Sequence, residues 1–242
     1  MKTTKALPGY MRVLLTLASI LIVTSVSQAQ VRPTDLDVTD GKIQPASGHR
    51  LSVSTKEMRA TLKFTTEQTA TVKFTYLGPL KDLSPTKAAS RPAGPNVISQ
   101  FGLKLRAQND CNAIYVLWRF APDQKIVVGI QRNPGKRTHP ECLDRGYINN
   151  LKPRLSDAPP PVEPSQPHVP AATPHVLTAT PHALTATPHV LTATMNGSDL
   201  SVTADNKLVW WGDLGPTALT LRGPVGLRSD NARLLFDLLV NR

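Results

Sequence analysis

Apolar and polar residues alternate through much of residues 51–148, and a period of two admits strands while excluding helices. Ala60, Leu62 and Phe64 alternate with Thr61 and Lys63, and Val72, Phe74 and Tyr76 with Lys73 and Thr75. Gly78 and Pro79 then break the second strand. Pro85, Pro92, Gly94 and Pro95 make residues 81–96 a long surface loop. Further strands are expected at 102–108, 111–120 and 125–131, with Ala121, Pro122 and Asp123 turning into the last and Asn133, Pro134 and Gly135 ending it. In the middle strand Ile114, Val116, Trp118 and Phe120 share one face, which is core. Tyr115 and Arg119 share the other, where a ligand has room to sit.

From Pro153 the composition changes, and Pro159, Pro160, Pro161, Pro164, Pro167 and Pro170 forbid a packed core there. A seven-residue word follows in near-identical copies, TPHVLTA, TPHALTA and TPHVLTA, with Pro174, Pro181 and Pro188 excluding a helix. His168, His175, His182 and His189 recur with it. In extended chain such neighbours lie roughly 20 Å apart, too far to share a metal, so no metal site is expected. The last copy reads as a strand, 189–195, and the upstream copies look like duplications of its first half.

Asn196 and Gly197 then signal a hairpin, 199–203 is its partner, and Asp205 and Asn206 turn into 208–211. Short strands at 219–221 and 225–228 precede a last one at 233–240, with Leu234, Phe236, Leu238 and Val240 inward. The C-terminal strands are too few to stand alone. The domain reading is therefore one β-sandwich over 30–242, interrupted by a surface loop at 153–188.

Lys2, Lys5 and Arg12, the apolar run 13–23 and the small residues Ser27 and Ala29 read as a signal peptide over 1–29, cut before Gln30. The run is short for a membrane span and no second one follows, so no span is expected once it is removed. Export makes the location secreted or periplasmic. Cys111 and Cys142, the only cysteines, then form one disulfide. The formal charge of +11 falls by the three basic residues that leave, and the chain stays basic. That charge suits an acidic polysaccharide or simple solubility; without a recognised motif it does not indicate nucleic acid.

The hairpin residues His189, Leu191, Ala193, Asn196, Gly197, Leu200 and Val202 carry a family likeness. So do the ending Gly223, Val225, Gly226, Leu227, Arg228, Ser229, Asp230, Asn231, Ala232, Arg233, Phe236 and Asp237. Together they resemble concanavalin A-like jelly-roll domains of secreted bacterial proteins, in their laminin-G-like and 3-keto-disaccharide hydrolase-like groups. The resemblance implies an all-β antiparallel jelly-roll sandwich, and leaves function open among lectins, hydrolases and interaction modules.

Glucanases of that fold need two carboxyl groups about 5 Å apart. No strand here carries such an alternating pair, since Glu57, Glu67, Glu141 and Glu163 read as strand-edge, loop or linker residues and Asp237 stands beside Leu235. No catalytic residue is assigned; an enzyme alternative uses scattered carboxylates such as Asp110, Asp144 and Asp230. The better candidates are polar-face residues. Alternation groups Lys104, Arg106 and Gln108, and Tyr115 with Arg119; Tyr147 joins the polar set, and Trp211, beside a Trp210 that already fills the inward place, is either a stacking platform or a cover for the loop. Tyrosine faces and arginine forks suit a sugar ring and its hydroxyls or carboxylates. The candidate ligand set is Arg106, Tyr115, Arg119, Tyr147 and Trp211. Arg132, Lys136, Arg137, His139 and Arg145 add charge around the cysteine loop, which reads either as hydrated surface or as a site for an anionic glycan. No cofactor is implied. The reading is a non-catalytic carbohydrate-binding or surface-interaction module, against hydrolase and purely structural alternatives, with the oligomeric state undetermined.

Overall fold

The computed structural model describes residues 28–65, 68–80, 97–143, 145–149, 151–162 and 187–241. The first 27 residues, the 81–96 loop and the histidine repeats before Thr187 lie outside these, as do Asp144, Glu67 and Glu163. The N-terminal part supplies β1 (Gln28–Gln30), β2 (Leu36–Asp40), β3 (Gln44–Pro45), β4 (Leu51–Leu62) and β5 (Thr69–Pro79). The middle supplies β6 (Ser99–Asn109), β7 (Asn112–Ala121), β8 (Lys125–Arg132), the one-turn helix α1 (His139–Cys142), β9 (Tyr147–Ile148) and β10 (Leu155–Ser156). The C-terminal part supplies β11 (His189–Asn196), β12 (Asp199–Ala204), β13 (Lys207–Asp213), the short helix α2 (Pro216–Thr220) and β14 (Gly226–Asn241). The chain is all-β.

Hydrogen bonds link the strands in the order β10-β13-β12-β11-β5-β14-β6-β7-β8-β9, with β1 and β4 on the other edge of β14, and β2 and β3 on β4. Strand β14 explains how one antiparallel sheet makes two layers. Residues 226–230 lie beside β6, whereas 232–240 lie beside β5. The change of partner falls at Asn231, where φ is +49°. Its carbonyl accepts from Leu80 N–H and Ser99 Oγ, and its Nδ2 donates to Ile98 O, so one residue ties the exit of β5 to the entry of β6. Asparagine tolerates that left-handed backbone better than most side chains.

The two halves close on aromatic rings. Phe74 of β5 lies 5.6 Å from Phe101 of β6 and 5.5 Å from Trp118 of β7, and Tyr76 stacks on Phe120 at 4.2 Å. Ile114, Val116, Trp118 and Phe120 are all buried, as are Leu234, Phe236, Leu238 and Val240, so both alternations face the core. Burial of side chains this size contributes about 1.5–3 kcal/mol each. Glycine lets the backbones close in: a Cβ on Gly102 would lie 2.1 Å from Val116 O, and one on Gly226 2.3 Å from Ala60 O.

Several local expectations need correction. Asn196 pairs with Asp199, so the tight turn is Gly197 and Ser198, with glycine at φ +60° in the first central place, as a II′ turn requires. Residues 219–221 are not a strand: Pro216 opens α2 there, and proline suits a first helical turn. The strands expected at 225–228 and 233–240 are one, continuous through Asn231. The proline segment is not wholly a loop, because β10 pairs Leu155 with Trp211 on β13. Val162 is buried and doubly bonded to Gln124, donating its N–H at 2.8 Å and accepting from Nε2 at 2.7 Å. An edge position tolerates prolines, which lack the donor a central strand needs. The cut expected before Gln30 falls inside β1, which pairs with the end of β14. No helix among the described residues is long and apolar enough to cross a membrane.

Candidate functional site

The second half of the sheet has a side turned away from the main core, and strand register decides what it carries. Arg59 on β4 stands opposite Arg228 on β14, which stands opposite Gly102 on β6 and then Leu117 on β7. One row along come Glu57, Asp230, Gln100 and Arg119. In the other direction come Lys104 and Tyr115, and Tyr147 of β9 joins through Gln131. The sequence thus places four basic and two acidic side chains on one face.

Ion pairs hold all of these charges but Arg119. Arg59 is 1% exposed and donates through Nη1 to Asp40 (3.0 Å) and Glu57 (2.8 Å). Arg228 donates Nε–H to Asp230 at 2.8 Å, donates Nη1–H to Tyr147 Oη, and lies over the Tyr115 ring at 5.1 Å from its centre. Gln100 Nε2 donates to the same Asp230 carboxylate at 2.7 Å, and Arg119 Nε reaches Gln100 Oε1 at 3.5 Å. Lys104 and Asp110 form a buried pair at 2.9 Å.

Those contacts set the protonation states. Burial alone would lower Arg228, but Asp230, Tyr147 and Tyr115 hold it above its ordinary range, so it stays a cation. Burial pushes Glu57 up, yet the hydrogen bond and charge of Arg59, with His139 and Arg228, hold it below the usual carboxylate range. Burial pushes the Tyr115 phenol well above its ordinary value. It also lowers Lys104 despite Asp110.

The loop between β8 and β9 partly roofs this face. The Cys111–Cys142 disulfide, Cα atoms 5.8 Å apart, pins it beside the β6–β7 turn. Glu141 caps α1, accepting from Arg137 N, Thr138 N and Thr138 Oγ1, which holds its carboxyl at about 2. From this loop His139 Nε2 comes to 3.4 Å from Glu57, and at its end Tyr147 of β9 brings its ring to 6.0 Å from Tyr115. Tyr115 and Lys104 are therefore buried, where alternation alone suggested a wet face.

Of the expected ligand set, Tyr115, Arg119 and Tyr147 come together. Arg106 does not join them: its φ of +48° interrupts the β6–β7 register, and its guanidinium donates to Ala218 O and Gly197 O. It braces the turns of the other half. Trp211 is 39% exposed on β13, in the opposite half of the sheet, with Arg154 over its ring at 4.8 Å. Glu57 is not at a strand edge but within β4, in the charged row. Arg59, Glu57, Gln100, His139, Arg228 and Asp230 escaped the ligand set. Opposite charges two apart, Glu57 with Arg59 and Arg228 with Asp230, were the available signal. His189 is a strand residue, its Nδ1 2.8 Å from Asp205 and its ring 5.4 Å from that of Trp118.

No family model matches this chain, and no curated protein does. Among solved structures, a carbohydrate binding module, CBM66 from Bacillus subtilis, superposes with a TM-score of 0.52 over 84% of this chain and 91% of that one, at 10% identity. The fold is an all-β jelly-roll sandwich. A Bacillus subtilis protein of unknown function with a galectin-like fold gives 0.47 at 13% identity, covering 86% and 91%. Identities this low describe shared architecture.

Proposed function

We propose that this protein is a secreted carbohydrate-binding module, non-catalytic, that receives its ligand on the polar face around Arg119, Gln100, Tyr147 and Arg228. The observation that carries this is the Arg228 guanidinium, fixed over Tyr115 by Asp230 and Tyr147 with 8% of the residue exposed at the face. Planar donors fixed before a ligand arrives lose little entropy on binding. Arg119, half-buried at the same face, is the group a sugar would meet first. The likeness of fold to a carbohydrate binding module adds support. Hydrolysis is disfavoured because a general acid must hold its proton near neutral pH. Here Asp40 and Glu57 serve Arg59, Asp230 serves Arg228, and Asp110 serves Lys104.

Lys136, Arg137 and Arg145 on the roofing loop favour an anionic glycan. Secretion is supported by the basic and apolar N-terminal residues and by the disulfide. The test is an array of neutral, uronic-acid and sulfated glycans, read with the chain from Gln30 and with its Arg119→Ala variant. Selective binding that drops roughly tenfold in the variant is expected, as for loss of one anchoring contact. Binding to no glycan at all would remove the proposal.

A further inference from the structure

The other half of the sheet has an outward side that the polar face does not explain. Inward, Ala70, Val72, Leu191, Ala193, Leu200 and Val202 belong to the core. Outward, the register sets Thr71, Thr192 and Thr203 in one row across β5, β11 and β12, and Thr69, Thr194 and Ser201 in the next. Neighbouring strands lie about 4.8 Å apart and alternate residues about 6.8 Å apart, so six hydroxyls form two rows; Thr71 is buried at 6% exposure, and the other five are partly exposed. Thr71 Oγ1 and Thr192 Oγ1 are 2.9 Å apart in the first row.

None of the six positions is charged; the charges on this side, Lys73 of β5 and Asp199 of β12, fall one alternate position beyond the two rows. Threonine's preference for strands accounts for hydroxyls there, but not for what ends the row. Ser201 pairs with Trp211, so an indole that is 39% exposed continues the second row. The guanidinium of Arg154 fixes that ring from one side. An apolar ring face beside ordered hydroxyls is the pairing that pyranose rings present in return.

We propose that this side is a second glycan-contacting surface, open where the first is roofed, that docks on the ordered face of an uncharged, insoluble polysaccharide. An open face cannot enclose one sugar. It gains affinity only when many weak contacts form together, which an ordered solid supplies and a short oligosaccharide does not. The absence of charge among the six matches a neutral polymer, in contrast to the anionic ligand of the roofed face. The inference rests on the reading of the protein as a glycan binder but uses none of the polar-face residues.

Co-sedimentation of the full chain with microcrystalline cellulose and with chitin tests it, beside Thr194→Lys, Thr203→Lys, Trp211→Ala and Arg119→Ala. Retention on at least one solid is expected, falling at least roughly tenfold with either lysine or with Trp211→Ala, as loss of concerted contacts predicts. Arg119→Ala should stay bound to the solid while losing its soluble glycan, which separates failure of one surface from failure of the other. Circular dichroism verifies each fold, and should a lysine variant not fold, Trp211→Ala and Ser201→Ala decide. Equal retention of the folded variants, or no retention on either solid, overturns the proposal. So does inhibition of ice growth by a chain that ignores both solids, which would assign the two rows to ice.

Discussion

At the scale of single residues, the polar face is a set of charges that tolerate burial only because each has a partner. Asp230 is the most connected, accepting from Arg228 Nε and Gln100 Nε2, with Arg59 Nη2 3.9 Å away. Its loss would leave the buried Arg228 cation over the Tyr115 ring without its directly bonded carboxylate. Asp230→Ala is therefore expected to destabilise the fold by about 3–5 kcal/mol, the usual result of breaking one side of a buried pair. Asp230→Asn should cost less, since its amide oxygen still accepts one bond. Urea titration of the three proteins measures this, and a cost below about 1 kcal/mol for the alanine would mean that water reaches Arg228. The alternation that gave the core in β7 was readable in the sequence, because apolar runs have only one purpose. Glu57, Arg59, Arg228 and Asp230 obey the same period of two, yet charged residues at that spacing read equally well as solvated surface until register puts β4 beside β14.

Among the elements, the roofing loop between β8 and β9 owes its shape to side-chain amides as much as to the disulfide. Asn112 Nδ2 donates to Asn133 O and Lys136 O, Gln131 Nε2 to Leu143 O and Arg145 O, and Asn133 Nδ2 to Arg145 O. The pairing of Cys111 with Cys142 followed from their number; that the loop would carry His139 and Tyr147 onto the polar face did not, because no local pattern encodes where an irregular segment lands. Removing the disulfide with Cys111→Ala and Cys142→Ala is expected to cost about 3–4 kcal/mol, the closure entropy of a loop of this length. Amide hydrogen exchange should speed up across 133–149 and stay unchanged in β11 and β12. Unchanged exchange in the loop would show that the amide network alone holds it. The helix α2 marks the opposite limit of sequence reading: five residues are too few to display a period, so Pro216 was the one usable sign.

For the whole molecule, the long connection between Val162 and Thr187 raises the question of whether the two flanking parts are one folding unit. The strands themselves argue that they are. β14 is bordered by β4, β5, β6 and β1, all from the first part, and β11 pairs with β5. Without the second part β5 would lose both neighbours, and without the first β14 would lose every one. The small number of C-terminal strands already pointed to one sandwich, but which strands pair across the repeat was not legible, because pairing at such separation depends on contacts that no sequence window contains. Cleavage within 163–186 by a site-specific protease, at a recognition sequence placed there, should accordingly leave both pieces together on size-exclusion chromatography. They should unfold in one thermal transition at nearly the temperature of the intact chain, since the cut removes none of the strand pairings among the described residues. After denaturation and dilution the pieces should regain structure only when mixed, and then more slowly at lower concentration. If either piece alone gave a cooperative transition, the sheet would have to be stable with β14 stripped of its neighbours, and the single-unit reading would fall.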